Sequence, residues 1–566
     1  MQHRRTLPLL VAAVLVVGII LGFHVRDVAS GTDDRFNEHK IEEAYNVITQ
    51  GYVERVDSAQ LAESAIEGML AALDPHSIYI SSTEMRDVRE SFNASFEGIG
   101  IYYELLEGPD GRDTLAVLMP IAGGPSEEAG LQPGDRIIQI DDTTAIGFTT
   151  DLVQRYLKGP AGTGVTVQVL RPGYTDTLSF DIVRDRIPLE TVIAAYMLDD
   201  ETGYVKLQRF ARTSHAEVLE AIRALRAEGM ERLVFDLRGN AGGLLEQAWQ
   251  IADEFLPASA MVVYTNSRHP SNNREYRATS GGTFEEDPVI LLVDENSASA
   301  SEIVAGALQD HDRGLIVGRR TFGKGLVQQQ FPLSDGSVLQ MTVSRYYTPA
   351  GRLIQTPYVR GDDDDEYFEA KRELRDLMEG NLPESGLLDV SRFADEVPDS
   401  LKYRTDGGRV VFGGGGILPD YLVRLDSLSP ALQTIIGRNL DNEFARYRLE
   451  QLGESFRQEW SGREAAFLRT YDVDDATFDA FLAWADDHGV DVVATRPDDP
   501  EGPILVESEA LAMRADVEAR IKAFMARRLF GVDAFYPVVA EIDRTLQEAM
   551  GLWREASTLA EARPGR

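Results

Sequence analysis

Two stretches carry residue types that can break an acyl bond. The first is VDENSASASEIVAGALQD, residues 293–310, where Ser297, Ser299 and Ser301 alternate with alanine just before an apolar helical pattern. The second is VGRRTFGKG, residues 317–325, with Lys324 between glycines. A serine hydroxyl is a weak nucleophile and needs a base. Lysine, with an ordinary pKa near 10.4, is protonated at neutral pH, but burial disfavours the charged form. Lys324 is flanked by Phe322, Leu326 and Val327, and its glycines let the backbone pass close to other groups. A buried neutral lysine can take a serine proton. A serine at a helix start also lies beside free amides that can hold an oxyanion. The residues alone leave two readings open, because serine is also a favoured N-cap.

Two competing chemistries fit less well. Gly318 to Lys324 matches the first seven positions of a phosphate-binding loop, but the eighth is Gly325 instead of Ser or Thr. A strand-like run, LVQQQFPL, follows where that loop needs a helix. A Ser-His pair has few partners to draw on among eight histidines. His311 and His215 read as helix-end residues, and His76, in the DPHS turn at 74–77, reads as structural.

The elements that must position these groups alternate between strand and helix over residues 187–350. VILLVD runs as a buried strand into the serine stretch, and GLIVG into the lysine stretch. LVFDLRGNAGGLLEQA, residues 233–248, is a strand, a tight turn holding Gly242 and Gly243, and a helix. Near-continuous apolar strands between helices predict an α/β sheet covered on both faces, which builds its site at the carboxyl ends of the strands.

Around this core the chain divides further. Residues 31–92 have helical periodicity. Residues 93–186 are short strands between Gly/Pro turns, with one short helix, FTTDLVQRYLKG. Residues 357–412 read as a polar insertion whose GDDDDE run is a solvated loop. Residues 427–566 read as a helical extension of unassigned role, and GGGGILPD at 413–420 leads back to the sheet. The expected fold class is multidomain α+β.

At 566 residues, several domains are expected. A net charge of −37, with seven lysines against 49 arginines, argues against a nucleic-acid partner. The absence of cysteine excludes disulfides and thiol nucleophiles. Arg4 and Arg5 precede an uncharged run at 7–23, LPLLVAAVLVVGIILGF. Its length is at the lower limit for spanning a bilayer. Residues 1–30 are therefore expected to form a membrane anchor, favoured because VAS at 28–30 is a poor cleavage site, or else a cleaved signal, with the rest of the chain outside the cytoplasmic membrane, in the periplasm or at the exterior.

Taken together, GMLAALDPHSIYI, FEGIGI, AGLQPGDRIIQID, LKGPAGTGVTVQVLR, DLRGNAGG, SASASEIVAGAL, GKGLVQ and RYYTPAGRLIQ resemble the carboxy-terminal processing peptidases, or tail-specific proteases. The resemblance covers residues 40 to about 355, plus GGILPD near 415–420. It implies a serine protease core of the ClpP/crotonase-like type over 187–356 and 413–426, with no cofactor and no metal. It places the nucleophile on Ser299, the base on Lys324 and an orienting glutamine on Gln328. It puts the oxyanion amides at Ala300 and in the AGG turn, at Gly242 or Gly243. The strand-rich module resembles a PDZ domain, which binds a chain end by strand addition. Gly98, Ile99, Gly100 and Ile101 match its carboxylate loop, and Leu152, Val153 and Tyr156 are candidates for its apolar pocket. The implied partners are protein substrates with accessible apolar C-termini. The resemblance leaves room for an adaptor protein and a homo-oligomer. The rival expectation is a PDZ scaffold that binds without cleaving, although a decayed relative would have lost Ser299 or Lys324.

Overall fold

The protein is described here from a computed structural model covering residues 32–107, 111–359, 361, 365–369, 371–372, 385–388, 397–424, 429–497 and 502–561. The uncharged run at 7–23 and Asp362–Asp364 of the acidic run lie outside these residues. No described helix is long and apolar enough to cross a membrane.

The apolar runs of the sequence form the centre of a seven-stranded sheet. Its order is Val192–Met197, Thr202–Leu207, Arg232–Asp236, Val289–Val293, Leu315–Gly318, Tyr421–Val423 and Ser385–Leu387. The five inner strands are parallel and the two edges antiparallel. Side chains of a strand alternate between faces. Val205, Leu233, Phe235, Leu291 and Ile316 accordingly pack against helices Ser214–Glu228, Leu245–Asp253 and Ala300–Asp310.

Tyr204, Val234, Ile290, Leu292 and Val317 face the other way and meet Ala540, Leu546, Ala549, Trp553 and Ala556. The latter residues lie in the extension at 427–566, whose role the sequence left unassigned. Only the first part is a unit of its own, built around Phe444, Phe478, Phe481 and Ile521. The later helices, Arg544–Met550 and Trp553–Glu561, cover the second face of the sheet. The expected polar insertion contributes too, with the edge strand Ser385–Leu387 and a hairpin of Lys402–Arg404 and Val410–Phe412.

A second, antiparallel sheet lies beside the first and joins Ile78–Ile80, Val338–Tyr347, Met261–Asn266 and Glu275–Arg277, with Leu326–Pro332 paired to Val338–Tyr347. It therefore ties the N-terminal arm to the strand that follows Lys324. The small module is a six-stranded antiparallel sheet with Ile101–Glu107 at one edge and the helix Thr150–Leu157. Ser95–Gly98 pairs with Asp185–Pro188, so the chain enters and leaves the module side by side. Arg528 of the helical extension grips Glu104 on the edge strand with two hydrogen bonds, at 3.1 and 2.9 Å.

Candidate active site

Of the three alternating serines, Ser297 and Ser301 are fully buried and their hydroxyls are committed. Ser297 Oγ donates to the Leu237 carbonyl at 2.8 Å, and Ser301 Oγ to the Asn240 carbonyl at 2.8 Å. Both bonds fasten the serine loop to the DLRGN turn. Ser299 alone is half-buried and reaches the surface. It sits at the N-terminus of Ala300–Asp310 with φ 54°, a region that non-glycine residues rarely occupy. Two buried groups hold it there. Its N–H donates to Glu302 Oε2 at 2.8 Å, and the Tyr346 hydroxyl lies 3.0 Å from its carbonyl.

Glu302 and Tyr346 grip the lysine loop in the same way. The Lys324 N–H donates to Glu302 Oε2 at 2.9 Å, Gly323 N–H to Oε1 at 2.7 Å and Thr321 Oγ1 to Oε1 at 2.6 Å. Tyr346 also meets the Lys324 carbonyl. Burial pushes the Glu302 carboxyl up to about 7, while its four donors pull it down.

The Lys324 amine donates to Gln328 Oε1 at 3.0 Å. Burial pushes this amine below its ordinary value, and the carboxylates of Asp74 and Glu302 pull it partly back. The glutamine is held from the N-terminal arm: its Nε2 donates to the carbonyl of His76. His76, read from sequence as structural, lies in the same polar cluster. Its imidazole is pushed down to about 4 by burial and then by the Lys324 charge, and it meets Tyr367 edge-on at 5.4 Å. Tyr367 belongs to the expected insertion, as do Phe368 and Lys371, which approach Phe322. A pocket of about 290 Å³ opens there, lined in part by Asn296, Thr321, Phe322, Thr356 and Phe368.

The glycine turn separates two residues that the sequence could not. Gly242 N–H donates to Asn240 Oδ1 at 2.9 Å, and a Cβ at Gly242 would stand 2.9 Å from Ser299 Cβ. Gly242 is thus the close-approach residue. The N–H groups of Gly243 and Ala300 donate to no acceptor among the described residues. Two open amides beside a surface serine can hold a developing oxyanion. Asn240 was not singled out from sequence, yet it joins the pieces. Its Nδ2 donates to the Leu207 carbonyl at 2.9 Å, and its own carbonyl accepts Ala298 N–H at 3.0 Å. Behind the turn, the Arg238 and Lys206 cations hold Asp236 below the carboxylate range against the opposing effect of burial, and Arg238 continues to Asp543 with bonds of 2.9 and 2.6 Å.

In the small module, the N–H groups of Ile99 and Gly100 likewise meet no acceptor among the described residues. They stand beside the edge strand that Ile101 begins. Gly98 pairs with Asp185, and a Cβ there would lie 3.4 Å from the Leu157 carbonyl. Leu152 and Tyr156 are half-buried next to the module's core. The side chains of Val153 and Ile99 are packed in the module's core, 1% and 2% exposed; the Ile99 side chain is thus structural while its N–H stays open, and Val153 packs in the core.

Residues 201–364 match the model of peptidase family S41, residues 24–83 that of the activating protease CtpB N-terminal domain, and residues 117–171 that of the PDZ domain. A carboxy-terminal-processing protease of Bartonella bacilliformis is 38% identical over 54% of this chain and 69% of its own length. The carboxy-terminal processing protease CtpB of Bacillus subtilis is 36% identical over 56% of this chain and 65% of its own. Among solved structures, the photosystem II D1 C-terminal processing protease is 31% identical over 57% of this chain and 90% of its own, with a TM-score of 0.31. With its surface serine, its lysine loop and its PDZ domain, the chain belongs to the carboxy-terminal processing proteases of peptidase family S41, which are serine-type peptidases.

Proposed function

We propose that this peptidase is an endopeptidase of the cell envelope that captures apolar protein C-termini on its PDZ domain and hydrolyses them with a Ser299–Lys324 dyad. One observation carries the reading: a half-buried lysine amine, pushed below its ordinary value, is aimed by Gln328 and shares its backbone anchors with the one surface serine of the motif. Neutral Lys324 Nζ takes the Ser299 hydroxyl proton as Oγ attacks the substrate carbonyl carbon. The amides of Gly243 and Ala300 hold the oxyanion. The C–N bond breaks, and the Lys324 ammonium returns its proton to the leaving amine, which leaves an ester on Ser299. Lys324 then takes a proton from water, the resulting hydroxide attacks the ester carbon, and the serine leaves and is reprotonated.

The open Ile99 and Gly100 amides beside an edge strand support capture of a terminal carboxylate by strand addition. The parallel sheet with its flanking second sheet supports a core of the ClpP/crotonase-like type. The uncharged run after Arg4 and Arg5 supports an anchor in the cytoplasmic membrane, with the catalytic part outside it. Exposed Ile41, Val47, Tyr52 and Val53 on the N-terminal arm support a homo-oligomer.

The test is cleavage of an unstructured protein with an apolar C-terminus, followed by mass spectrometry from about pH 6 to 10, beside Ser299→Ala and Lys324→Ala. Cleavage by the parent alone is the expected result. Binding of the substrate without cleavage would instead establish a scaffold.

A further inference from the structure

The side-chain amide of Gln328 has two ends, and only the oxygen can accept from the Lys324 amine. Its orientation is imposed from outside the protease core. The carbonyl of His76 has no proton to give, so it takes the Nε2 end of Gln328. Oε1 is thereby turned to Lys324 Nζ at 3.0 Å, and Gln340 Nε2 donates to the same oxygen at 3.2 Å.

The His76 carbonyl is placed by a turn, and the turn is organised by one carboxylate. Asp74 Oδ1 accepts His76 N–H at 3.1 Å, and Oδ2 accepts Ser77 Oγ at 2.8 Å. Oδ1 also accepts Thr342 Oγ1 at 3.0 Å, and Thr342 N–H donates to Ser77 Oγ at 3.2 Å. Thr342 is the residue paired with Gln328 across the two strands. Asp74 therefore bridges the arm to the position opposite the glutamine, and the pairing of Ile78–Ile80 with Val338–Tyr347 extends the join. The charged and titratable groups around the Lys324 amine are Asp74 and His76 from this turn and Glu302 from the nucleophile helix, with Lys371 beyond His76.

We propose that Asp74 is a positioning residue for the peptidase reaction: from the N-terminal arm it sets the turn whose His76 carbonyl orients Gln328, and Gln328 aims the Lys324 amine. The inference rests on Lys324 being the base. It makes the catalytic unit incomplete without residues 74–77, although they lie far from the core in sequence.

The experiment uses the full chain and a peptide substrate, with kcat and KM measured from about pH 6 to 10. Asp74→Asn keeps the shape but removes the charge and one acceptor. Its kcat is expected to fall about tenfold or more with KM little changed, because misplacement by about 1 Å is felt that strongly. Its pH midpoint should move to lower pH, since a carboxylate that favours the ammonium has gone. Thr342→Val should lower kcat with the midpoint in place, and Thr342→Ser should restore it. Parental kcat and midpoint in Asp74→Asn, or a change in KM alone, would overturn the proposal. If Asp74→Asn does not fold, unchanged kcat in Thr342→Val overturns it. Parental cleavage by Lys324→Ala would instead sink the base assignment itself.

Discussion

Ser299 and Lys324 are joined twice through their backbones. Their N–H groups meet at Glu302 Oε2, at 2.8 and 2.9 Å, and their carbonyls meet at the Tyr346 hydroxyl. The spacing of the proposed nucleophile and base is thus set by two buried side chains. Both Glu302 oxygens accept, and each has two donors. In Glu302→Gln the NH2 group must face N–H or O–H donors on one side. We expect it to cost about 1–3 kcal/mol of stability and about a hundredfold in kcat, read by thermal unfolding and peptide hydrolysis.

The lowered Lys324 pKa predicts a pH profile. The base works only when neutral, so kcat/KM rises with pH through a midpoint below the ordinary 10.5. Lys324→Arg should be inactive at every pH, since a guanidinium cannot give up its proton. Stability moves in the same direction. Below 10.5 the unfolded lysine binds its proton more readily than the buried one, so holding Lys324 in place costs stability, and that cost is relieved as pH rises. Lys324→Met should therefore raise Tm at neutral pH while abolishing cleavage.

The glycine turn separates shape from chemistry. Gly243 has φ 144°, and a Cβ there would fall 2.1 Å from the Phe210 carbonyl oxygen. Gly239, in the same turn, has φ 74° and nothing within 4 Å. Gly243→Ala should lose about 1–3 kcal/mol and nearly all activity. Gly239→Ala should lose only about 1 kcal/mol. Chemical denaturation of the two variants ranks them, and equal losses would sink the argument.

The link from Arg238 to Asp543 connects the glycine turn to the C-terminal helices. A double-mutant cycle with Arg238→Met and Asp543→Asn should give a coupling of about 1–3 kcal/mol. Trp553→Ala should cost about 3–5 kcal/mol, because that ring is packed against the sheet and stacked by Arg232 at 4.9 Å.

The groups proposed to carry the chemistry stand in local patterns. Ser299 heads a helix after a buried strand, Lys324 sits in a glycine loop, and Gln328 follows four residues on. Their supports were not legible in this way, because they come from far along the chain. His76 reaches Gln328 across 252 positions, Arg238 reaches Asp543 across 305, and neither pair shares a local pattern. The DPHS turn read only as a helix stop. The helices after residue 540 carried helical periodicity but no sign of what they would cover. Asn240 and Tyr346 looked like ordinary residues within matched motifs. Glu302 did have a local signal, a Ser-x-x-Glu capping pattern with Ser299.

The layer on the second face of the sheet has a consequence for synthesis. Tyr204, Val234, Ile290 and Leu292 have only part of their cover until the chain has been made as far as Trp553 and Ala556. By then Ser299 and Lys324 have long left the ribosome. A growing chain therefore carries Ser299 and Lys324 on a sheet whose second face is only partly covered until these helices pack against it.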